Sequence, residues 1–292
     1  MRKDLTAEGR GGGILQDTRI ALVQMQAGVG QIEKNLLKIE NFVKEAAGKK
    51  ANMICFPEMS ISGYSRKAGS ELAQKLEERS VASFLLQLAR DHKMVIIAGL
   101  AEKNAKAKPY ITQVIAEPEG ILQKYRKTHL GISEQPYFTQ GEEIQAFSTP
   151  GAKIGIQICW ETHFPEMTTI LSLQGAEIIF SPHASPTMVG DRRAIWLKYL
   201  PARAYDNAVF MAACNLVGEG GRGRHFCGGA LVIDPKGNVL AEDFAGKESL
   251  LVVDLKADQI NRIRKQKRST MANSFYLQCR RPELYKELIT KS

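Results

Sequence analysis
Two apolar words, Ala51-Asn-Met-Ile-Cys-Phe-Pro57 and Ala176-Glu-Ile-Ile-Phe-Ser-Pro182, constrain this chain most. Proline brings no N–H to a sheet ladder, so each word reads as a short buried strand with a fixed end. Each also sits at the same place in a repeated order of elements. In the first copy, Arg19-Ile-Ala-Leu-Val-Gln-Met25 reads as a buried strand, and Ile32, Leu36, Ile39, Val43 and Ala46 recur at helical spacing, which predicts a helix over 31–49. A strand over 53–56 follows, then helix marked by Leu72, Leu76, Phe84, Leu85 and Leu88, a strand over 95–100, and a hairpin of 110–116 with 121–125. Its turn, Glu117-Pro-Glu-Gly120, carries Pro second and Gly fourth, as a type I turn favours. The second copy runs strand 153–158, helix 164–174, strand 176–181, helix 190–206, strand 208–213 and a hairpin around Asp234-Pro-Lys-Gly237.

Two β-α-β-α-β-β halves predict an α/β fold with internal pseudo-twofold duplication. Strands joined by helical crossovers are parallel and covered by helices, and two such halves pack sheet on sheet as a four-layer α-β-β-α sandwich. The expected division is a disordered, Gly-rich leader over 1–17, one domain over 18–286 and a short tail over 287–292.

Composition narrows the function classes. No run of about 18 apolar residues occurs, and the opening residues lack a secretory signal's apolar stretch, so the expectation is a soluble, cytoplasmic protein with no membrane partner. Five widely spaced cysteines without a C-x-x-C indicate neither a disulfide framework nor a zinc knuckle. The net charge of +9 is concentrated: Arg262, Arg264, Lys265, Lys267, Arg268, Arg280 and Arg281 lie between Gln259 and Pro282 with no acid among them. No recognition motif or aromatic-studded groove accompanies that strip, so nucleic acid is not expected as a partner. A solvated face, an anionic partner or a subunit contact are the readings left open.

In open α/β sheets ligands collect beyond the carboxyl ends of the strands. Glu58, Lys127 and Cys159 all fall there. A cysteine attacks carbonyl carbon as thiolate, a carboxylate can take its proton and later protonate a leaving amine, and a lysine can face the oxyanion. The three types suffice for acyl transfer, although such residues at strand ends are more often structural, and a lone cysteine there is usually a small hydrophobe.

The surrounding words decide the matter. Phe56-Pro-Glu-Met-Ser-Ile-Ser-Gly-Tyr64, Tyr125-Arg-Lys-Thr-His-Leu130 and Ile158-Cys-Trp-Glu-Thr-His-Phe-Pro-Glu166 resemble, in order, the three signatures of the nitrilase (carbon-nitrogen hydrolase) superfamily. The similarity spans about residues 19 to 286, through Pro201-Ala-Arg-Ala-Tyr-Asp-Asn207 and Arg280-Arg-Pro-Glu-Leu-Tyr285. It implies an α-β-β-α sandwich that dimerises or forms higher even-numbered oligomers. It also implies Glu58 as general base and acid, Lys127 on the oxyanion side, Cys159 as nucleophile and the Trp160 backbone N–H in the oxyanion hole. The resemblance also implies a second active-site glutamate, for which Glu134 is expected, with Glu142 and Glu143 as competitors.

Tyr64, His129, Glu161, His183 and Arg192 are the expected pocket residues, His129 as support for the lysine motif. No metal and no cofactor is required. The Ser133-Glu-Gln-Pro-Tyr-Phe138 word looks closer to the amidase and N-carbamoyl-amine hydrolase branches, whose substrate is a small amide or carbamoyl compound. Arginines that hold a carboxylate just after the cysteine in carbamoyl D-amino acid enzymes are absent, and only Arg192 or Arg193 could replace them. The alternatives are a nitrilase acting on a small nitrile and a non-catalytic fold relative binding an anionic partner. A Cys159–His163 dyad, a zinc site from Cys159, His163, His183, His225 and Cys227, and a phosphate cradle at 218–224 are weaker readings; that last stretch is expected to be a flexible loop near the site mouth. Arg203, Asn207, Trp196 and Tyr199 are read first as structural.

Overall fold
A computed structural model describes residues 15–76, 81–105, 107–221, 223–265, 270 and 275–290. The first half lays down β1 (Thr18–Gln24), α1 (Ile32–Gly48), β2 (Met53–Cys55), α2 (Gly69–Leu72), α3 (Val81–His92), β3 (Val95–Glu102), β4 (Tyr110–Ala116) and β5 (Leu122–Arg126). The second adds β6 (Phe147–Thr149), β7 (Ala152–Ile156), α4 (Pro165–Leu173), β8 (Ile178–His183), α5 (Arg192–Asn207), β9 (Phe210–Asn215), the short pair β10 (Val217–Glu219) and β11 (His225–Cys227), then β12 (Ala230–Ile233) and β13 (Val239–Asp243). Finally come β14 (Ser249–Leu255) and α6 (Ala257–Arg264).

Two six-stranded sheets result, ordered β14-β1-β2-β3-β4-β5 and β13-β12-β9-β8-β7-β6. Each has three parallel strands (β1, β2, β3; β7, β8, β9) flanked by an antiparallel hairpin. The expected duplication is therefore present. Both x-Pro-x-Gly turns close alike, with Gly120 N–H donating to the Glu117 carbonyl and Gly237 N–H to that of Asp234. Alternation along β9 displays the layers: Phe210, Ala212 and Cys214 face the central core, while Met211 and Ala213 pack with Trp196 and Leu200 of α5 and Leu171 of α4. The Cys55 and Cys214 sulfurs, from opposite sheets, lie 4.0 Å apart. The stripe expected on α1 is the side it buries, with Ile39, Val43 and Ala46 inaccessible and Ile32 and Leu36 packed beside them.

Several boundaries differ from expectation. β8 runs through Pro182 to His183, because β7 pairs only as far as Phe180 and Pro182 needs no partner on that side. The helix expected from Leu72 through Leu88 is broken: Gln74 bridges Glu102 in an extended stretch and α3 begins at Val81, with 77–80 outside the described residues. Each sheet also gains an edge strand that the repeat did not suggest, β6 on one and β14 on the other. Within the stretch expected as leader, Leu15 is buried, its N–H bonded to Glu177, and Asp17 pairs with Lys256; residues 1–14 lie outside the described residues.

The basic strip divides as well. Arg264 is a buried staple donating to the carbonyls of Ala176 and Ala208, and burial pulls its pKa down to about 10. Arg262 and Arg281 pair with Asp258 and Glu283, which flank the acid-free stretch. Lys267 and Arg268 lie outside the described residues. No helix among the described residues is long and apolar enough to cross a membrane.

The loop after β2 is bolted to β3, with Ile61 N–H donating to the Gly99 carbonyl and Gly99 N–H to Ser60 Oγ. A Cβ at Gly99 would lie 2.5 Å from the Met59 nitrogen and 2.9 Å from the Pro57 oxygen. Gly99→Ala therefore pushes the segment that carries Glu58 off its strand. It is expected to cost roughly 1–3 kcal/mol in urea unfolding, the usual penalty of overpacking, and to lower turnover further than that loss of stability explains.

Candidate active site
Glu58 follows β2, Lys127 follows β5 and Cys159 follows β7 by a few residues, so one rim gathers all three. The Lys127 ammonium is buried between two carboxylates, 2.8 Å from Glu58 Oε1 and 3.0 and 2.9 Å from the two oxygens of Glu134. Glu134 also accepts from the Tyr64 hydroxyl at 2.7 Å and from Gly131 N–H at 2.8 Å. Of the three candidate glutamates, Glu134 is the one that meets Lys127; Glu142 and Glu143 are exposed and line a different hollow beside Tyr110 and Arg126. Glycine lets the chain return past the lysine: Gly141 N–H donates to the Lys127 carbonyl, and a Cβ there would strike the Arg126 carbonyl.

Cys159 sits at φ 50°, in the left-handed region that side chains avoid at a cost of roughly 1–2 kcal/mol. It opens a 3-10 turn, Cys159–His163. The first N–H groups of a helical turn have no acceptor within it, which leaves the Trp160 N–H beside the sulfur unclaimed by the turn. The thiol lies 3.5 Å from Ser185 Oγ, and Ser185 in turn lies 3.5 Å from His183 Nδ1. Ser185 escaped the sequence reading because serine after a strand carries no local signal; only the end of β8 beside β7 brings it to the sulfur.

Electrostatics sorts the protons. Burial raises Glu58 to about 7, the Glu134 charge adding to the rise and Lys127 opposing it, and its Oε2 has no hydrogen-bond partner. Burial, then the charge of Glu58, raises the Cys159 thiol to about 11. Lys127 is desolvated, yet the two carboxylates hold its pKa well above the usual lysine value. The resting set is a protonated thiol, a charged lysine and a carboxyl poised near neutrality. His183 is kept neutral by burial and by the cations Arg192 and Lys127.

A cavity of about 740 Å³ opens over the sulfur, lined among others by Lys127, Glu134, Trp160, His183 and Tyr199. Of the expected pocket residues, Tyr64, His183 and Arg192 border it, and His129 and Glu161 do not. Glu161 is instead a buried brace. Its Oε1 accepts from Thr128 N–H, Thr128 Oγ1 and the Tyr125 hydroxyl, and its Oε2 from Ile158 N–H. It clamps the Lys127 segment to the Cys159 segment. His129 is a support, bonded to Thr128 and stacked on Phe164 at 4.3 Å.

His163 packs on Trp160 and Tyr199, with no hydrogen bond found to Cys159. No trio of His, Cys, Asp or Glu suited to a metal occurs among the described residues. The 218–224 stretch belongs to the β10–β11 hairpin, and Gly223, Arg224 and His225 stand at the cavity mouth. Arg203 reaches the His163 carbonyl, and Asn207 bonds Thr169 and the Arg203 carbonyl.

Removing one partner of a buried charged network costs more than the network contributes, because several N–H groups are orphaned. Glu161→Ala is expected to destabilise the fold by about 3–5 kcal/mol in urea unfolding. A loss under about 1 kcal/mol would show that the clamp is dispensable.

The carbon-nitrogen hydrolase family profile matches residues 19–265. A nitrilase of Pyrococcus abyssi is 34% identical over 241 residues, 81% of this chain and 89% of that one. An (R)-stereoselective amidase of a Pseudomonas species is 33% identical over 252 residues, 85% and 88% of the two chains. The solved structure of a cysteine-to-alanine mutant of a Nesterenkonia amidase from the nitrilase superfamily matches with a TM-score of 0.80 at 28% identity, over 94% of this chain and 100% of that one. A glutamate-to-glutamine mutant of the same amidase, TM-score 0.78 at 28% identity over 93% and 99%, shows Michael addition of acrylamide at the active-site cysteine. The chain belongs to the carbon-nitrogen hydrolase family, as an enzyme of its cysteine-dependent, amidase-type branch.

Proposed function
We propose that the chain hydrolyses small linear amides, N-carbamoyl amines among them, with Cys159 as nucleophile, Glu58 as proton carrier, and Lys127 with the Trp160 N–H as oxyanion partners. The observation that carries this reading is the buried Lys127 bonded to both Glu58 and Glu134 beneath the cavity that exposes Cys159. An ammonium has three N–H donors. Glu58 and the two Glu134 oxygens face all three, so a substrate oxygen is met when the Glu134 oxygens share one.

Glu58 takes the thiol proton as Sγ attacks the carbonyl carbon, and the oxyanion forms against the Lys127 ammonium and the Trp160 N–H. Glu58 then hands its proton to the nitrogen, the C–N bond breaks, and ammonia leaves a thioester. A water gives its proton to Glu58 and attacks the acyl carbon. The C–S bond breaks, the thiolate recovers a proton, and a carboxylic acid departs. From a carbamoyl substrate the released carbamate breaks down to amine and carbon dioxide. A carboxyl near pH 7 suits both directions of transfer. Glu134 and Tyr64 position the lysine.

We further propose that the enzyme acts as a homodimer or a larger even-numbered homo-oligomer. Apolar side chains left exposed on α4 and the C-terminal segment, Leu173, Leu284, Leu288 and Ile289, support it.

Cys159→Ala is expected to keep the fold and lose at least about 10³-fold in turnover, since no other group can carry the acyl. Because the folded Glu58 carboxyl sits above its ordinary value, it takes up a proton as pH falls through about 7, and the base is lost on the acid side. kcat/KM should therefore drop about tenfold per pH unit below that point. A flat profile from about pH 5 to 8 would remove Glu58 from the proton transfer. Ammonia release across aliphatic amides, carbamoyl amines and nitriles tests the substrate class: a nitrile hydrolysed in preference to its amide overturns the reading.

A further inference from the structure
Arg192, the first residue of α5, borders the cavity that exposes Cys159, yet it is only 7% accessible. Its Nε is buried without a hydrogen bond, and no carboxylate pairs with it among the described residues. What lies over its guanidinium is the Trp196 ring, 5.9 Å away. The contrast with its neighbour is direct: Arg193 turns outward and is held by Glu242 at 2.9 Å. Two helical turns along, Tyr199 borders the same cavity, its hydroxyl lying beside Arg192 and Thr162. One face of α5 thus presents the unpaired Arg192 Nε and the Tyr199 hydroxyl to the cavity.

A guanidinium cannot shed its proton, so burying it without a counter-ion is costly unless something anionic arrives. The rest of the cavity offers no such group. The one acid among its described lining residues is Glu134, already engaged with Lys127, Tyr64 and Gly131. Arg66 and Arg224 add positive charge at the mouth, each touching a backbone carbonyl.

We infer that Arg192, with the Tyr199 hydroxyl, is a carboxylate-binding subsite, and that the preferred substrates are monoamides bearing a carboxylate at the far end of the acyl chain. The inference rests on the amide-hydrolase reading. With ammonia as leaving group, whatever else the cavity holds is acyl chain, so the charge must lie on that side. A planar carboxylate accepts two parallel N–H bonds from a guanidinium, which gives Arg192 a geometric as well as an electrostatic preference.

The test compares the monoamide of succinic acid with butyramide, which has the same four-carbon chain and no charge, and with 4-methylpentanamide, whose isopropyl end matches the carboxylate in shape. The whole enzyme is expected to favour the monoamide by at least about tenfold in kcat/KM, chiefly through KM, and Arg192→Met to collapse that ratio toward one. Thermal unfolding supplies a second readout. Arg192→Met should melt no lower than the parent, since it removes a buried uncompensated charge, whereas a residue retained for packing would melt lower.

Should that variant not fold, succinate is expected to inhibit butyramide hydrolysis by the parent enzyme competitively and butyrate to inhibit it far less. Equal turnover of the three amides, an unchanged ratio in Arg192→Met, a lower melting point in that variant, or equal inhibition by the two acids overturns the subsite. Failure of the enzyme to release ammonia from any amide would overturn the catalytic reading instead. Direct binding to the Cys159→Ala variant, tight for the monoamide and weak for butyramide, would then still support the subsite, and equal binding would overturn it.

Discussion
One ammonium in a dry place governs this structure. Lys127 has almost no access to solvent, and its charge is tolerable only because Glu58 and Glu134 meet it at hydrogen-bond distance. The reverse also holds, since two carboxylates this close would otherwise force one another neutral. The cluster draws together three stretches of backbone, after β2, after β5 and in the following loop, none of which has regular structure of its own at that point. Burial is what lifts the Glu58 carboxyl to about 7: Glu134 adds to the rise, and Lys127 keeps it from going further.

The two halves of the chain divide the work. The first sheet supplies the charged cluster, and the second supplies the thiol, Ser185 and the α5 face with Arg192. Their relative position therefore sets the shape of the site, and Glu161 fixes it by accepting from both the Thr128 and Ile158 backbones. It is conspicuous in sequence because it follows the nucleophile, yet it touches neither the cavity nor the thiol. Proximity in sequence to a reactive residue says little about which way a side chain points when a tight 3-10 turn intervenes.

Much of this was legible in the chain. Periodicity and the two proline-stopped words gave the parallel strands, their covering helices and the duplication, because buried sheets and amphipathic helices write their period into the order of residues. Motifs identified Glu58, Lys127, Cys159 and Glu134, which the structure brings to one cluster. What was illegible depends on partners distant in sequence. β14 and β6 are edge strands whose identity lies in what they pair with. Pro182 continues a strand only because β7 is short on its side. Arg264 looks like part of a solvated basic strip until its carbonyl acceptors at 176 and 208 are in place.

The return of β14 to β1 has a consequence for how the chain is made. Thr18 to Gln24 are made long before the strand that covers their open edge, Ser249–Leu255. Until then the first sheet carries an unpaired edge next to a finished parallel core, the kind of surface on which nascent chains join one another. Vectorial synthesis thus leaves the sheet that bears Glu58 and Lys127 unsealed until Leu255 has been made.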